Sequence, residues 1–257
     1  MRLTREHGFL LLGLAAIGGL AVLLARGSPP QEIASFSTTL QGRSPEQRHN
    51  IARAAAALDG AAIEPGRTLS FNRTVGRIAA DRGYLRADAI VRGRIEQAVG
   101  GGICQVSSTL YNAALLAGLE IVERHPHTWP VHSVSPGRDA AVAWGRSDLV
   151  IRNTEREAVA LETHVAGERL VVRVLGREPA EREIRIEVED RRLLPARLTR
   201  ADPDLPAGQR RVIPGRPGHD VTVWRVVLEG GRERRERVSH DIYAARDEMT
   251  LVGTRPN

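Results

Sequence analysis

Cys104 is the only cysteine in this chain of 257 residues, and it sits where Gly100-Gly101-Gly102 runs into a helical pattern. A thiol at a helix N-terminus meets the positive end of the helix dipole and several unpaired backbone N–H groups. Both favour the thiolate, which is the nucleophilic form. A lone cysteine cannot form a disulfide within the monomer. Nucleophilic chemistry at such a thiol needs a base within hydrogen-bond reach and a third group that orients the base.

The histidines at His49, His125, His127, His132 and His164 are the candidate bases. His125 and His127 flank Pro126, just beyond the strand expected after the cysteine helix, so one return of the chain can bring them beside Cys104. Asp139 and Asp148 are the candidate orienting acids, and either could equally be a structural ion pair. Arg138 offers a guanidinium that matches a substrate carboxylate. Gln105, Ser107, Ser108 and Thr109 occupy the first turn after the thiol. Their side chains can contact substrate or form an oxyanion site with backbone N–H groups, or they can simply cap and pack. Gly102 permits close approach of the backbone. His125-x-His127 with His132 and Cys104 lacks the spacing of a zinc motif, so neither a metal nor a cofactor is expected.

The elements that must position these residues read as an α+β domain. Ser44-Pro45-Glu46-Gln47 is a capping box with proline at the first helical position, and the helix it starts ends at Gly60. A short strand is expected at Leu69-Ser70-Phe71, then an irregular stretch from Asn72 to Gly83. Ala89-Ile90-Val91 and Arg94-Ile95-Glu96 read as a hairpin around Arg92-Gly93. Val106, Leu110, Ala113, Ala114 and Ala117 form the apolar stripe of the cysteine helix, with Gly118 as its stop. A strand at Ile121 to His125 follows. Then Ala140–Trp144, Asp148–Asn153, Ala158–His164 and Arg169–Leu175 read as four strands of an antiparallel meander. From about residue 182 to 254 a smaller β-rich module follows, with a hairpin around Glu229-Gly230-Gly231.

At the N-terminus, Arg2 and Arg5 precede an uninterrupted apolar run from Phe9 to Ala25. It is close to the 17–25 residues that span a bilayer. Residues 1–27 are therefore expected to be a signal anchor or signal peptide, with 28–35 as a tether and the remainder outside the cytoplasm. The formal charge is +6, yet every basic residue is arginine and the arginines are interleaved with acids, as in Arg232-Glu233-Arg234-Arg235-Glu236. That is a solvated mixed-charge face, and no nucleic-acid partner is expected.

The run Gly-Gly-Gly-Ile-Cys-Gln-Val-Ser-Ser-Thr-Leu-Tyr-Asn-Ala from Gly100, with Ala117 to Arg124, strongly resembles the VanW family. Arg48-His49-Asn50-Ile51, the Pro65-Gly66 to Val75-Gly76 stretch and Pro136-Gly137-Arg138-Asp139-Ala140 share the resemblance, which covers residues 36–176. The C-terminal segment more weakly resembles the "G-five" β modules that accompany this family. The resemblance implies a mixed helix and antiparallel-sheet domain at the cell wall. It also implies a cysteine L,D-transpeptidase that forms 3-3 cross-links between peptidoglycan stem peptides. Cys104 would be acylated and His127 would be its base; His49 matches a family position without an assigned role. A cysteine peptidase or amidase, and a non-catalytic wall-binding scaffold, are the alternatives.

Overall fold

The computed structural model describes residues 29–91, 94–177 and 181–256. The apolar run expected to be a signal or anchor lies outside the described residues, as does the Arg92-Gly93 turn. Among the described residues no helix is long and apolar enough to cross a membrane.

The first strand, β1 (Gln31–Thr39), pairs antiparallel with β9 (Arg169–Gly176). Residues 31–35, expected to be a tether, are therefore sheet. Helix α1 (Pro45–Leu58) starts at the predicted capping box: Ser44 Oγ accepts the Gln47 N–H and Gln47 Oε1 accepts the Ser44 N–H. β2 (Ala62–Ile63) joins β8 (Val159–Ala166), giving a four-stranded antiparallel sheet in the order β1-β9-β8-β2. β3 (Thr68–Ser70), β6 (Glu120–Glu123) and β7 (Val150–Arg152) form a second antiparallel sheet, and β4 (Arg86–Val91) pairs with β5 (Arg94–Val99) as a hairpin.

Three local expectations change. Phe71 opens a short helix, α2 (Phe71–Val75), because Ser70 Oγ caps it by accepting the Arg73 N–H. Residues Ala140–Trp144 are not a strand; they form only an isolated bridge between Ala143 and Ser147. The four-strand meander is also divided, since β7 joins β3 and β6 while β8 and β9 join β1 and β2.

Helix α3 (Ile103–Leu116) carries Cys104 as its second residue. It is buried on almost every side, so Ser107, Ser108, Thr109 and Asn112 are interior along with the apolar stripe. An interior helix must bond its polar side chains, and these four do so to surrounding backbone and side chains. The polar positions thereby weld α3 to β1 and to the loop after Asp139.

The C-terminal module consists of two three-stranded sheets. β10 (Arg182–Leu193), β13 (Gly218–Glu229) and β14 (Arg232–Tyr243) run antiparallel. In the other sheet β15 (Glu248–Arg255) lies parallel to β11 (Arg197–Pro206) and antiparallel to β12 (Arg210–Ile213), so the module is not wholly antiparallel. The predicted hairpin closes at Glu229↔Arg232. Ile186 and Val238 pack against the first domain's core as well as their own, so the two parts share a continuous interface.

Candidate active site

Cys104 is partly exposed at the start of α3. Its thiol donates toward Val142 O at 3.7 Å, and the His127 ring is the neighbour that most favours its charged form. His127 Nδ1 lies 2.6 Å from Asp139 Oδ2, and the His127 backbone N–H donates to the same oxygen at 2.7 Å. With Nδ1 held by the carboxylate, Nε2 is the nitrogen left for the thiol. Asp139 is 1% exposed and His127 9% exposed at the side chain, so solvent does little to screen the relay.

The charges follow from the geometry. Burial alone would push the Cys104 thiol up, but the bond to His127 and its charge outweigh burial and hold the thiol below its ordinary value. Burial would likewise depress His127. Its hydrogen bonds to Asp139 and Cys104 win, and its pKa is pushed up to about 9. Asp139 would be raised by burial yet is lowered by His127 and Arg124. The two shifts run in opposite directions, the thiol down and the imidazole up, so the site favours a thiolate–imidazolium pair backed by a carboxylate.

The structure separates the candidate residues. Asp139 is the acid that meets His127. Asp148 is taken up elsewhere, accepting from Ser70 Oγ and from the Asn72 and Leu149 N–H groups. His125 pairs with Glu123 at 2.9 Å, His164 lies against Glu162 on β8, and His132 is exposed. His49 bonds to Gly83 O and lines a separate shallow cleft of about 500 Å³ with Arg53, Arg82 and Tyr84. None of the three relay residues lines that cleft. Among the described residues no group of three or more His, Cys, Asp or Glu is arranged to hold a metal.

The side chains of the first turn of α3 after Cys104 are turned into the protein interior. Gln105 is 3% exposed, and Nε2 spends both protons on Thr38 Oγ1 and Thr39 O. Thr109 Oγ1 donates to Gln105 O and sits 2.9 Å from Thr38 Oγ1. Ser107 Oγ donates to Ala140 O at 2.7 Å, and Ser108 Oγ accepts the Ala140 N–H at 2.9 Å while donating to Cys104 O. All four side chains are satisfied inside the protein, where they anchor β1 and the loop leading from Asp139 to Val142. Gly102 plays a packing part: it sits at φ +100, and a Cβ there would come within 3.2 Å of Gln47 O. The Cys104 backbone N–H, by contrast, makes no hydrogen bond among the described residues.

Arg138 Nε donates to Asn112 Oδ1, and its guanidinium lies 5.7 Å from the centre of the Phe36 ring. Asn112 is two turns beyond Cys104, about 12 Å along the helix axis. Burial depresses Arg138, and among the described residues no carboxylate pairs with it. Arg43, which the sequence does not single out, is similar: Nε donates to Gln105 Oε1 at 2.7 Å and burial lowers its pKa.

Three other residues escape the sequence reading. Arg124 Nε donates to Asp139 O, Nη2 lies 3.1 Å from Asp139 Oδ1, and Nη1 lies 2.6 Å from Asp241 Oδ1. Tyr243 Oη–H donates to Asp139 Oδ1. Arg124 ends the run Glu120 to Arg124, where charge at a strand end is unremarkable, and Asp241 and Tyr243 are more than a hundred residues away from Asp139.

Comparison with known proteins places both parts of the chain in described families. The family model described as "VanW like protein" matches residues 46–175, just over half of the chain, and the G5 domain model matches residues 184–255. An uncharacterized protein of Bacillus subtilis (strain 168), YoaR, is 39% identical over 142 residues, covering 55% of this chain and 47% of that one. The vancomycin B-type resistance protein VanW of Enterococcus faecalis (strain ATCC 700802 / V583) is 34% identical over 109 residues, 40% of each chain. The match thus spans about half or less of these relatives. Among solved structures, the IgA1 protease G5 domain aligns at 27% identity over 29% of this chain and 92% of that one, with a TM-score of 0.26. The G5 domain of HP0197 aligns at 20% identity over 29% of this chain and all of that one, with a TM-score of 0.19. With the family's model covering the whole span from α1 to β9 and the relay within it, this chain belongs to the VanW-like family, and it carries a C-terminal G5 domain.

Proposed function

We propose that this protein is an extracytoplasmic cell-wall enzyme, a cysteine L,D-transpeptidase that forms 3-3 cross-links between peptidoglycan stem peptides. One observation carries the reading: the only thiol in the chain stands at a helix N-terminus under the influence of His127, whose ring a buried carboxylate holds. The name of the Enterococcus relative, a vancomycin-resistance protein, supports an envelope setting.

In this reading the Cys104 thiolate attacks the carbonyl carbon that follows the L-centre of a donor tetrapeptide. The developing oxyanion lies at the start of α3, where the unpaired Cys104 N–H is the donor that this end of the helix supplies. The carbon–nitrogen bond then breaks, and His127 Nε2 gives its proton to the departing D-alanine amine. The neutral His127 next takes a proton from the side-chain amine of a neighbouring stem as that amine attacks the thioester. The new amide forms, the carbon–sulfur bond breaks, and the thiolate–imidazolium pair is restored. Arg138 and Arg43 are the half-buried cations to which a substrate carboxylate brings a counter-charge. The apolar run at residues 9–25 tethers the domain to the membrane, and the G5 module holds it against the wall.

Incubating the protein with purified disaccharide-tetrapeptides tests the proposal. Cross-linked dimers with loss of D-alanine, abolished in Cys104→Ser, are the expected products. Trimmed monomers alone would assign a peptidase, and dimers persisting in Cys104→Ser would remove the thiol from the chemistry.

A further inference from the structure

We infer that the C-terminal module is part of the reactive centre, with Tyr243 and Asp241 acting as positioning residues for the Asp139 carboxylate that orients His127. This rests on the Cys104–His127–Asp139 reading proposed above and assigns the second domain a role in that chemistry beyond attachment.

A carboxylate has about four lone-pair sites, and Asp139 has four donors. Oδ2 takes the His127 N–H and Nδ1, and Oδ1 takes Arg124 Nη2 and the Tyr243 hydroxyl. One of the four donors therefore comes directly from β14. A second depends on β14 indirectly, because Asp241 Oδ1 holds the other arm of the Arg124 guanidinium at 2.6 Å. Ser239 Oγ in turn donates to Asp241 Oδ2 at 3.0 Å. Ser239, Asp241 and Tyr243 alternate along the strand and so share one face, while Ile242 between them is 67% exposed.

The residues involved are deeply enclosed: Tyr243 is fully buried, and the Arg124 and Asp241 side chains are 5% and 7% exposed. Tyr243 Oη also accepts the Gly137 N–H at 2.9 Å, so one phenol fixes both the backbone before Arg138 and the carboxylate of Asp139. Burial and the neighbouring carboxylate push this phenol above its ordinary value, which keeps it a donor. Val221 and Val223 pack so closely on Gly137 that a Cβ there would lie 2.6 Å from Val223 Cγ2.

At the other end of α3, Arg182 Nη2 donates to Ala117 O and Arg225 Nη1 to Leu119 O. Cations that satisfy carbonyls at a helix C-terminus also complement its dipole. The module thus grips the far end of the helix that presents the thiol, and the turn that presents its acid. An attachment domain on a free linker needs none of these contacts.

The test measures Cys104 alkylation by iodoacetamide against pH in the full chain, followed by intact mass, for wild type, His127→Ala, Tyr243→Phe, Asp241→Asn and the surface control Ile242→Ser. The reagent is small and uncharged, so it reads the thiol and not substrate binding. Tyr243→Phe keeps the ring and removes only the hydroxyl; where it fails to fold, Asp241→Asn carries the test. The expected result is that both variants slow alkylation at neutral pH by about tenfold, the effect of one lost hydrogen bond to a charged group, and move the profile toward that of His127→Ala. Ile242→Ser should match wild type. A wild-type profile in Tyr243→Phe and Asp241→Asn, with His127→Ala impaired, overturns the inference and leaves the relay standing. A wild-type thiol no more reactive than that of His127→Ala overturns the relay itself, and this inference with it.

Discussion

His127 places both its ring Nδ1 and its own backbone N–H on a single oxygen of Asp139, at 2.6 and 2.7 Å. Two donors from one residue on one acceptor leave the imidazole little freedom to turn. They also set the tautomer, since Nδ1 must carry a proton to donate, and Nε2 is then the atom presented to Cys104.

Asp139→Asn tests how much that arrangement contributes. The amide keeps the size of the side chain but turns a charged acceptor into a neutral group with a donor of its own. The imidazolium loses its counter-charge, and Arg124 is left facing only Asp241. We expect kcat/KM for cross-linking to fall by on the order of a hundredfold or more, as for loss of the orienting acid in other triads. Breaking a buried ion pair costs about 3–5 kcal/mol, so the denaturation midpoint should fall as well. Steady-state assays and urea unfolding check the two effects, and wild-type kcat/KM in this variant would refute the orienting role.

The pH–rate profile follows from the two opposed shifts. The proposed reaction needs Cys104 deprotonated and His127 protonated. The thiol is lowered, so the acid limb of kcat/KM should lie below the usual thiol range near 8.5. The alkaline limb should lie near 9, where His127 loses the proton it must give to the leaving amine. The plateau between them is the thiolate–imidazolium window. In Asp139→Asn the alkaline limb should move down toward the ordinary imidazole value near 6.5 and narrow the window. A single rising limb at the ordinary thiol value would show that no ion pair exists.

The division between what the residues reveal and what they conceal has a physical pattern. Cys104 and His127 are legible because few residue types do their chemistry, and a glycine run before a helix is a local signal. Asp139 and Asp148 are indistinguishable by type and distance along the chain. Only the fold shows that Asp148 caps the start of α2 while Asp139 meets the histidine. Ser107, Ser108, Thr109 and Gln105 look like substrate contacts because polar residues usually face water. Their burial follows from elements arriving on every side of α3, which no local pattern records. Residues 140–144 look like a strand for the converse reason. Their apolar content is real, but Ser107 and Ser108 occupy the Ala140 backbone groups that a strand would pair. Tyr243 and Asp241 show only as inward positions of an alternating strand, and alternation does not say what they face.

Gly137→Ala probes the junction between the domains. Gly137 has φ +81, a conformation that costs a side chain about 1 kcal/mol, and a new Cβ would press on Val221 and Val223. Overpacking adds about 1–3 kcal/mol. The combined loss should appear as a lower denaturation midpoint together with slower Cys104 alkylation, because the same turn leads directly into Asp139. Lower stability with unaltered thiol reactivity would separate the interface from the relay.

Arg138→Gln tests the substrate side of the site. Arg138 is a half-buried guanidinium bonded to Asn112 and lying over Phe36, with no carboxylate partner among the described residues. Glutamine keeps some length and a donor, so the Asn112 contact can be partly replaced while the charge is removed. No ion pair among the described residues is broken, and the melting temperature should change little. A stem peptide whose carboxylate pairs with Arg138 in both the ground state and the transition state would lose uniform binding. That appears as a raised KM with kcat nearly unchanged. A charge-assisted hydrogen bond is worth about 1.5–3 kcal/mol, so KM should rise by on the order of ten- to a hundredfold. Alkylation by neutral iodoacetamide should not change, since that reagent carries no carboxylate. Equal KM values for the variant and the wild type would exclude Arg138 from substrate recognition and leave Arg43, beside Gln105 at the start of the same helix, as the cation to examine next.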